Sequence, residues 1–260
     1  MKNTILPRII PAILIKKNGV YKGVKFKQHQ YVGDPINTVK IFNDKRVDEL
    51  IILNIENSLH HQPPDIAFIQ KIASEAFMPL AYGGGIKDIE TAEKIFQCGI
   101  EKIILNTHAF INPNLISDMS KKFGSQSIAV SIDMKRNWRG HYDCYIYSAT
   151  KKIKGDPLEW ALKFESLGAG EIILNSIDRD GTMSGYDLNI IKKISEHLKI
   201  PVVALGGAGN IEHFILAFQH GAHACSAGSM FVFWGSLKGI LINYINEQDI
   251  KKIIQSIGKS

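Results

Sequence analysis

The chain contains the stretch Pro79–Thr107, PLAYGGGIKDIETAEKIFQCGIEKIILNT, and repeats its pattern 122 residues later as Pro201–Ser229, PVVALGGAGNIEHFILAFQHGAHACSAGS. In both stretches an apolar run ends in consecutive glycines, a polar residue precedes an amphipathic segment, and a second apolar run leads to a hydroxyl residue. The pairs that keep this spacing are Pro79 and Pro201, Gly84-Gly85 and Gly206-Gly207, Asp88 and Asn210, Gly99 and Gly221, and Thr107 and Ser229. An internal repeat of this length indicates an architecture assembled from two copies of one unit.

Eight short apolar runs lie along the chain, separated by amphipathic segments. They are Arg8–Leu14, Glu49–Ile55, Pro79–Tyr82, Lys102–Leu105, Ser127–Ile132, Glu171–Leu174, Pro201–Leu205 and Ala222–Ala227. Such runs predict strands buried on both faces, which is typical of a parallel sheet. The best-marked helices are Ile89–Cys98, behind Asp88, and Ile211–His220, behind Asn210. We therefore predict an α/β fold: one (β/α)8 TIM barrel domain over residues 1–260, built from two half-barrel repeats at approximately 1–125 and 126–260.

The overall composition excludes several classes of function. The 260 residues are 45% hydrophobic and 22% charged, with a net charge of +6 and no basic stripe, so nucleic acid is not an expected partner. The distant Cys98, Cys144 and Cys225 and the adjacent His60-His61 form no ligand pattern, so we expect no metal site. The apolar N-terminal stretch is interrupted by prolines and an arginine, which argues against a membrane span. We expect a cytoplasmic protein without a cofactor.

Two connections are longer than a barrel requires. Lys16–Pro35, after the first predicted strand, is basic and contains glycine, so it is a candidate mobile lid. Asn137–Lys154, after the fifth, is rich in Tyr, Lys and Arg and predicts a small hairpin over the barrel mouth.

Glycine turns and polar residues follow four of the predicted strands. The first half supplies Gly84, Gly85, Asn106 and Thr107, and the second half supplies Gly206, Gly207, Gly228 and Ser229. Glycine turns that lead into a helix free backbone N–H groups that bind phosphate. Any single turn of this kind could be only a tight bend. Two copies at one spacing predict two phosphate sites, one in each half.

Carboxylates follow the fifth and sixth predicted strands. Asp133 comes after an apolar run, so we expect it either to face the barrel mouth as an acid/base group or to cap a loop. When the two halves are aligned, Leu14 stands at the equivalent point of strand one, where a symmetrical site would need a second carboxylate. Asp180 lies in the polar turn Asp178–Thr182, which either faces the same mouth or satisfies its own hydrogen bonds.

Four charged residues stand at the starts of strands at the opposite end. They are Arg8, Glu49, Lys102 and Glu171. Buried charges are costly unless they are paired, so two of each sign suggest a paired ring that closes the axis. Four unrelated surface charges are the alternative.

Longer strings connect these motifs. They are Arg8-Ile9-Ile10-Pro11, Lys22-Gly23, Gly33-Asp34-Pro35, Gly83–Ile86, Phe123-Gly124-Ser125-Gln126, Ile132-Asp133, Gly168-Ala169-Gly170-Glu171, Asp178–Thr182, Gly185-Tyr186-Asp187 and Gly206-Gly207-Ala208-Gly209. In these strings, and over essentially its whole length, the chain resembles the HisF-type cyclase subunit of imidazole glycerol phosphate synthase.

The resemblance implies a HisH-like glutaminase partner that docks at the bottom of the barrel and releases ammonia. The ammonia then travels up the axis to a phosphorylated small-molecule or sugar substrate at the top. The four charged residues correspond to the family's ammonia gate, and Glu101 corresponds to an acidic contact to the glutaminase. Lys22 and Asp180 are then candidate catalytic residues beside Asp133, and Gly181 joins the phosphate-binding positions.

The chain departs from the family pattern at three points. Leu14 replaces the strand-one aspartate, Asn54 replaces the usual strand-two acid, and Asn175 stands where threonine is common. Losing one of two acid/base groups typically costs about 10²–10⁴ in rate, so we expect poor imidazole closure. Some relatives belong to bacterial gene sets for surface polysaccharide, where the barrel is thought to pass ammonia towards sugar amidation alongside a separate amidotransferase. The chain fits that pattern.

Three other hypotheses remain open from the sequence. The chain could be a divergent cyclase of histidine biosynthesis in which Asp180 covers for Leu14. It could be a non-catalytic scaffold that activates a glutaminase. It could also be a sugar-phosphate isomerase of the sister half-barrel family, which works alone.

Overall fold

The computed structural model describes residues 7–235 and 237–258. The strands are β1 (Arg8–Lys16), β2 (Gly19–Val24), β3 (Lys27–Gly33), β4 (Leu50–Asn54), β5 (Leu80–Gly83), β6 (Lys102–Leu105), β7 (Ile128–Arg136), β8 (Tyr142–Ile146), β9 (Lys151–Ile153), β10 (Glu171–Ser176), β11 (Val202–Leu205), β12 (Ala224–Ala227), β13 (Phe233–Trp234) and β14 (Gly239–Ile240). The helices are α1 (Pro35–Asp44), α2 (Ile66–Ala73), α3 (Ile89–Gln97), α4 (Thr107–Ile111), α5 (Asn114–Phe123), α6 (Pro157–Ser166), α7 (Leu188–Ser195), α8 (Ile211–Gln219), α9 (Ser229–Val232) and α10 (Glu247–Ile257).

Eight strands close into a parallel barrel with helices between them. The order around the barrel is β1-β4-β5-β6-β7-β10-β11-β12, and β12 pairs again with β1. The longest of the parallel ladders lies within the second half, where β7 pairs with β10 from Ala129↔Glu171 to Met134↔Ser176. The two halves meet where β6 pairs with β7 and where β12 pairs with β1. The prediction of a (β/α)8 barrel with eight buried strands is confirmed. Their carboxyl ends meet at one mouth, where such barrels carry their sites.

The two repeated helices begin where the sequence places their caps. The Asp88 carboxylate accepts the backbone N–H of Thr91 at 2.8 Å, and the Asn210 side chain accepts that of His213 at 3.1 Å. Each cap satisfies an N–H group that would otherwise lack a partner in the first turn. Because both helices follow a glycine turn, the repeat produces the same strand-turn-helix geometry twice.

The apolar core has two layers. The larger lies between the barrel and its helices, and the smaller fills the barrel itself. The inner layer consists of Ile10, Ala12, Ile51, Ala81, Ile104, Ala129, Ile173, Val203, Leu205 and Ala224. Along each strand these residues alternate with those of the outer layer, since successive side chains point to opposite faces. In residues 7–235 and 237–258, no helix is long and apolar enough to span a membrane.

Both long connections form antiparallel extensions of barrel strands. Strand β2 pairs with β1 and with β3, so Lys16–Pro35 is largely a hairpin, and β7 continues into the β8–β9 hairpin predicted for Asn137–Lys154. The first hairpin is joined to the β10–α7 loop by a hydrogen bond of 2.8 Å from Lys25 N to Asp180 O. It therefore lies at the barrel mouth, as a lid would. Movement of this hairpin stays a prediction.

Candidate active site

A cavity of about 290 Å³ opens at the carboxyl ends of the barrel strands. Its walls include most of the residues predicted to carry chemistry. These are Asp133, Asp180, Lys22, Gly84, Gly85, Asn106 and Thr107. The fold thus brings residues from the β1, β5, β6, β7 and β10 connections to one place, as the TIM barrel prediction requires. Gly181, Gly206, Gly207, Gly228 and Ser229 are not among the wall residues and lie behind them.

Asp133 is the most enclosed carboxylate of the cavity. Its Oδ1 accepts hydrogen bonds from Asn175 Nδ2 at 3.1 Å and Ser131 Oγ at 3.3 Å. Burial raises the pKa of Asp133 to about 7; these hydrogen bonds oppose the rise, and the charge of Asp180 adds to it. A carboxyl group with this pKa can donate or accept a proton near neutral pH. The loop-cap alternative is wrong, because Asp133 faces the cavity.

Asp133 should make the fold less stable as pH rises from about 4 to about 7. An aspartate in the unfolded chain has a pKa near 3.9, whereas Asp133 in the fold has one of about 7. In this window the folded chain keeps a proton that the unfolded chain has lost, so the free energy of unfolding falls by about 1.4 kcal/mol for each pH unit between the two pKa values.

Urea unfolding near pH 4 and near pH 8 should show that Asp133→Asn removes this loss of stability. The control Asp118→Asn changes an exposed carboxylate on α5 and should keep it. An unchanged loss in Asp133→Asn would contradict the prediction.

Apolar side chains face the rest of the inner cavity. Leu14 of β1, Leu53 of β4, Ile104 of β6 and Leu205 of β11 all line it. Asn54 lines it too, but its Oδ1 already accepts the backbone N–H groups of Glu56 and Asn57, each at 3.0 Å. Asp133 is therefore the ionisable side chain at this level of the cavity, and Leu14 of the first strand contributes an apolar surface.

Asp180 and Lys22 form a second polar group at the mouth. Lys22 Nζ lies 3.5 Å from Asp180 Oδ1, and both side chains are buried. Gly181 lies so close to the lid hairpin that a Cβ there would overlap the carbonyl oxygen of Gly23. The Asp180 carboxylate therefore finds its partner, Lys22, in the β2–β3 hairpin and not within its own turn. The Asp180 carboxylate can act as a second acid/base group only when Lys22 moves away or when Lys22 and the substrate contact the carboxylate together.

The glycines of the first predicted phosphate site form a tight turn at the end of β5. Gly84 and Gly85 have φ values of +129° and +76°, which favour glycine. Gly85 N donates to Ser58 Oγ at 3.2 Å, and Thr107 Oγ1 accepts from Tyr147 N at 3.1 Å. Ser58 and Thr107 both line the cavity, and Ser58 already takes up the N–H of Gly85. Phosphate binding at this turn stays a prediction.

The second predicted phosphate site contains an unpaired hydroxyl group. Among the described residues, Ser229 Oγ is buried and has no hydrogen-bond partner. Lys22 reaches over the neighbouring turn, since a Cβ on Gly228 would lie 2.5 Å from Lys22 Nζ. Gly206 and Gly207 contribute the adjoining turn at φ values of +87° and +119°. A cation, a free hydroxyl and open glycine backbone together suit an anion. Phosphate at this site also stays a prediction.

The four charged residues at the other end form one closed ring of ion pairs. Arg8 bonds Glu171 and Glu49, each at 2.7 Å, and Lys102 lies 2.8 Å from Glu171 and 3.5 Å from Glu49. Burial disfavours the charged forms of Arg8 and Glu171. The two glutamates nevertheless hold the pKa of Arg8 above its usual range. Lys102 and Arg8 likewise hold the pKa of Glu171 below its usual value. The ring closes the amino end of the barrel, below the inner apolar layer.

Known proteins resemble this chain over nearly all of its length. A model of the family "Histidine biosynthesis protein" matches residues 8–237. The hisF2 protein of Pseudomonas aeruginosa, named for imidazole glycerol phosphate synthase, is 46% identical over 246 residues, which cover 94% of this chain and 98% of that protein. The chain belongs to the HisF family of imidazole glycerol phosphate synthase subunits. The HisF of Leptospira borgpetersenii is 48% identical over 94% of this chain and 96% of its own length, and that of Alkaliphilus metalliredigens is 38% identical over 97% and 96%.

This HisF-family chain also has side chains in the cavity to which the sequence assigned no role, although it marked Asn175 as a departure from the family pattern. Ser131 and Asn175 hold the Asp133 carboxylate, and His29 of the lid hairpin and His108 of α4 line the cavity. Only the alternation of β7 could have indicated Ser131, since it places Ser131 on the same face as Asp133. Glu101, the predicted glutaminase contact, is exposed just before β6 at the amino end of the barrel.

Proposed function

We propose that this chain is the ammonia-using synthase subunit of a glutamine amidotransferase complex. A HisH-like glutaminase would dock at the amino end of the barrel, and ammonia would pass the charged ring and the apolar interior to a phosphorylated substrate in the cavity. The ring, the inner layer and the cavity lie on one axis, which supports this route. Small apolar side chains such as Ala81, Ala129 and Ala224 line the interior, and they favour neutral ammonia over ammonium because a charge is costly there.

We further propose that the acceptor is a sugar destined for a bacterial surface polysaccharide. The observation that carries this choice is the apolar Leu14 on strand one, opposite the buried carboxylate of Asp133. The other buried carboxylate of the cavity, Asp180, is paired with Lys22. Imidazole closure in the HisF family uses two acid/base groups. When ammonia attacks a carboxyl group that the amidotransferase has activated, the C–N bond forms as the activating group leaves. This step needs one group to take the proton released from nitrogen, a role that suits Asp133. The final step would involve a separate sugar amidotransferase.

A histidine-pathway cyclase is the second candidate, and one observation favours it. Asp180 lies in the same cavity as Asp133, so two carboxylates are present even without one on strand one. The names of the relatives fit this candidate equally well, since they refer to imidazole glycerol phosphate synthase. The ion pair between Asp180 and the buried Lys22 argues against the cyclase candidate, because it occupies the Asp180 carboxylate.

Two measurements test the choice between these functions. The purified chain is supplied with the histidine-pathway cyclase substrate and an ammonium salt, and we expect little turnover. Deletion of the gene should remove the amide from the surface sugar and leave growth without histidine intact. Efficient cyclase turnover, or a histidine requirement after deletion, would reject sugar amidation and leave the cyclase candidate.

Phe77 marks the face on which we expect the glutaminase to dock. It lies in the α2–β5 loop at the amino end of the barrel and is 90% exposed. Its backbone is held in place, because Phe77 N donates to Asn43 Oδ1 at 3.0 Å and Asn43 Nδ2 donates to Glu75 O at 2.6 Å. A large exposed aromatic side chain on a fixed loop is typical of the anchors at protein interfaces.

Phe77→Ala should weaken glutaminase binding by at least about 2 kcal/mol, roughly 30-fold in Kd, because an anchor of this kind dominates the interface. The measurement is calorimetric titration of the chain with the organism's HisH-type glutaminase. Trp138→Ala is the matched control, since Trp138 is 87% exposed but lies at the mouth. Equal effects of the two substitutions would place the interface elsewhere.

A further inference from the structure

Among the described residues, most of the large apolar side chains that are exposed lie on the mouth side of the barrel. Trp138 in the β7–β8 turn is 87% exposed, and Leu237 between β13 and β14 is 95% exposed. The β13–β14 hairpin follows α9, which begins just beyond the carboxyl end of β12. Because β12 pairs with β1, this hairpin and the β2–β3 hairpin leave the barrel from neighbouring strands. We define the mouth rim as the exposed side chains Val24, Tyr31, Trp138, Trp234, Leu237, Ile240 and Leu241.

The mouth rim lies outside the cavity. None of its seven side chains belongs to the described cavity wall, so a small molecule held beside Asp133 and Lys22 would leave all of them in water. Large aromatic and apolar side chains that are grouped at the surface are typical of sites where two proteins bind. The rim therefore indicates a macromolecular partner and not a part of the substrate site.

The fold also gathers at the mouth cations that are dispersed along the sequence. Lys16–Pro35 contains five lysines and one aspartate, and Asn137–Lys154 contains four basic residues and one aspartate. The net charge of these two connections is therefore +7, which is more than the +6 of the whole chain. Lys25, Lys27 and Lys151 are among the exposed cations. A second copy of the chain would bring the same positive face and be repelled, so the rim suits a partner with an acidic surface.

The proposed reaction supplies the reason for a cover over the mouth. Ammonia that escapes into water at neutral pH takes up a proton and loses its free lone pair. An activated carboxyl group is also lost in water, because water hydrolyses it. Both reactants survive only when the protein that activates the carboxyl group excludes water from the cavity mouth. In the proposed function that protein is the separate sugar amidotransferase.

We infer that the mouth rim is the docking surface for the sugar amidotransferase, which binds it through an apolar patch bordered by acidic side chains. Docking turns the cavity into a closed chamber between the two proteins, with Asp133 facing the activated carboxyl group. The glutaminase lies at the opposite end of the barrel, on the face marked by Phe77. This inference rests on the proposed function and deepens it, since it names the surface that receives the partner. Docking itself makes and breaks no covalent bond.

Calorimetric titration tests the docking surface. The probe is the purified amidotransferase whose gene deletion removes the amide from the surface sugar. The double variant Trp138→Ala/Trp234→Ala should bind this probe at least about 30-fold more weakly than the unmodified chain does, because exposed aromatic anchors dominate protein interfaces. Phe77→Ala is the matched control, since Phe77 is 90% exposed at the opposite end, and it should leave the Kd for the amidotransferase unchanged. Equal Kd values for the double variant and the unmodified chain would overturn the inference.

Amidation from glutamine by the three proteins together gives a second readout. With the amidotransferase near the Kd of the unmodified chain, the double variant should lower the rate about ten-fold. A higher amidotransferase concentration should restore the rate, because the substitutions affect docking and leave the cavity intact. A loss that stays at high concentration would place the rim in the reaction and overturn the inference. Should the double variant not fold, Leu237→Ser changes a 95% exposed side chain of the same rim and replaces it.

The same assay separates a failure of this inference from a failure of the proposed function. Glutamine-dependent amidation that the double variant leaves intact would overturn the docking surface and keep the proposed function. Absence of amidation with the unmodified chain would reject the proposed function itself.

Two measurements on the chain alone examine the other occupants of the rim. Vesicles of phosphatidylglycerol offer an anionic lipid surface, and analytical ultracentrifugation detects a second copy. We expect neither vesicle binding nor a dimer that depends on Trp138 and Trp234. Either result, together with no binding of the amidotransferase, would assign the rim to lipid or to a second copy and overturn the inference.

Discussion

Leu14→Asp should raise cyclase turnover from ammonium salts by about 10²–10⁴-fold, the range that one general acid/base group typically contributes. Leu14 and Asp133 both line the cavity, from the opposite strands β1 and β7, so a carboxylate at position 14 would face the same substrate. Leu14 is partly exposed, which lets an ionised side chain contact water. The measurement is turnover of the histidine-pathway substrate by the purified variant.

Leu14→Asn is the matched control, because it gives a side chain of the same size and polarity that cannot transfer a proton. We expect it to leave the turnover at the level of the unmodified chain. Equal gains from asparagine and aspartate would mean that polarity, and not proton transfer, limits the reaction. No gain from aspartate would indicate that the cavity has lost more of the cyclase machinery than this carboxylate, with Asn54 the next difference to examine.

Glu171→Gln should lower the free energy of unfolding by about 3 kcal/mol, the lower end of the range for removing one partner of a buried ion pair. Glu171 accepts hydrogen bonds from both Arg8 and Lys102 and is the most buried member of the ring. Glu49 remains as a partner for both cations, which keeps the effect at the lower end. Urea unfolding at neutral pH measures the loss.

The pH dependence of this loss gives a second check. Burial opposes the charge of Glu171, but Lys102 and Arg8 hold the pKa of Glu171 below its usual value. The ionised Glu171 therefore stabilises the fold fully at any pH above the usual pKa of a glutamate. This stabilisation is lost as the pH falls through the lowered pKa that Glu171 has in the fold. The difference between the two proteins should therefore shrink in acid. Glu90→Gln removes a solvent-exposed pair with Lys94 and should lower the free energy of unfolding far less than Glu171→Gln does. Equal losses at positions 90 and 171 would show that the ring is not a buried network.

Much of the fold could be predicted because its signals are local. Apolar runs and glycine turns indicated the eight barrel strands, and Asp88 and Asn210 indicated the starts of α3 and α8 within a residue. The Asn137–Lys154 hairpin also followed from its length and composition. Each of these features depends on residues close together in sequence, where alternation and capping act.

The site could be predicted only in part, because its contacts join distant residues. The sequence indicated that Asp133 faces the mouth, but not that Asn175, 42 residues later, holds it. Among the described residues, Asn175 Oδ1 is buried without a hydrogen-bond partner, and this depends on how β10 packs against Gly206 in the closed barrel. Likewise, four charges at strand starts suggested a ring, but the pairing of Arg8 with Glu171 across 163 residues required the register of the strands.

The charged ring draws unequally on the two halves of the chain. Arg8, Glu49 and Lys102 come from the N-terminal copy and Glu171 alone from the C-terminal one, whereas Asp133, Asn175 and Asp180 all come from the C-terminal copy. The amino end of the barrel therefore draws its charges mainly from the first half of the chain, whereas the buried carboxylates of the cavity come from the second half. Neither copy alone, even dimerised with itself, would rebuild both ends.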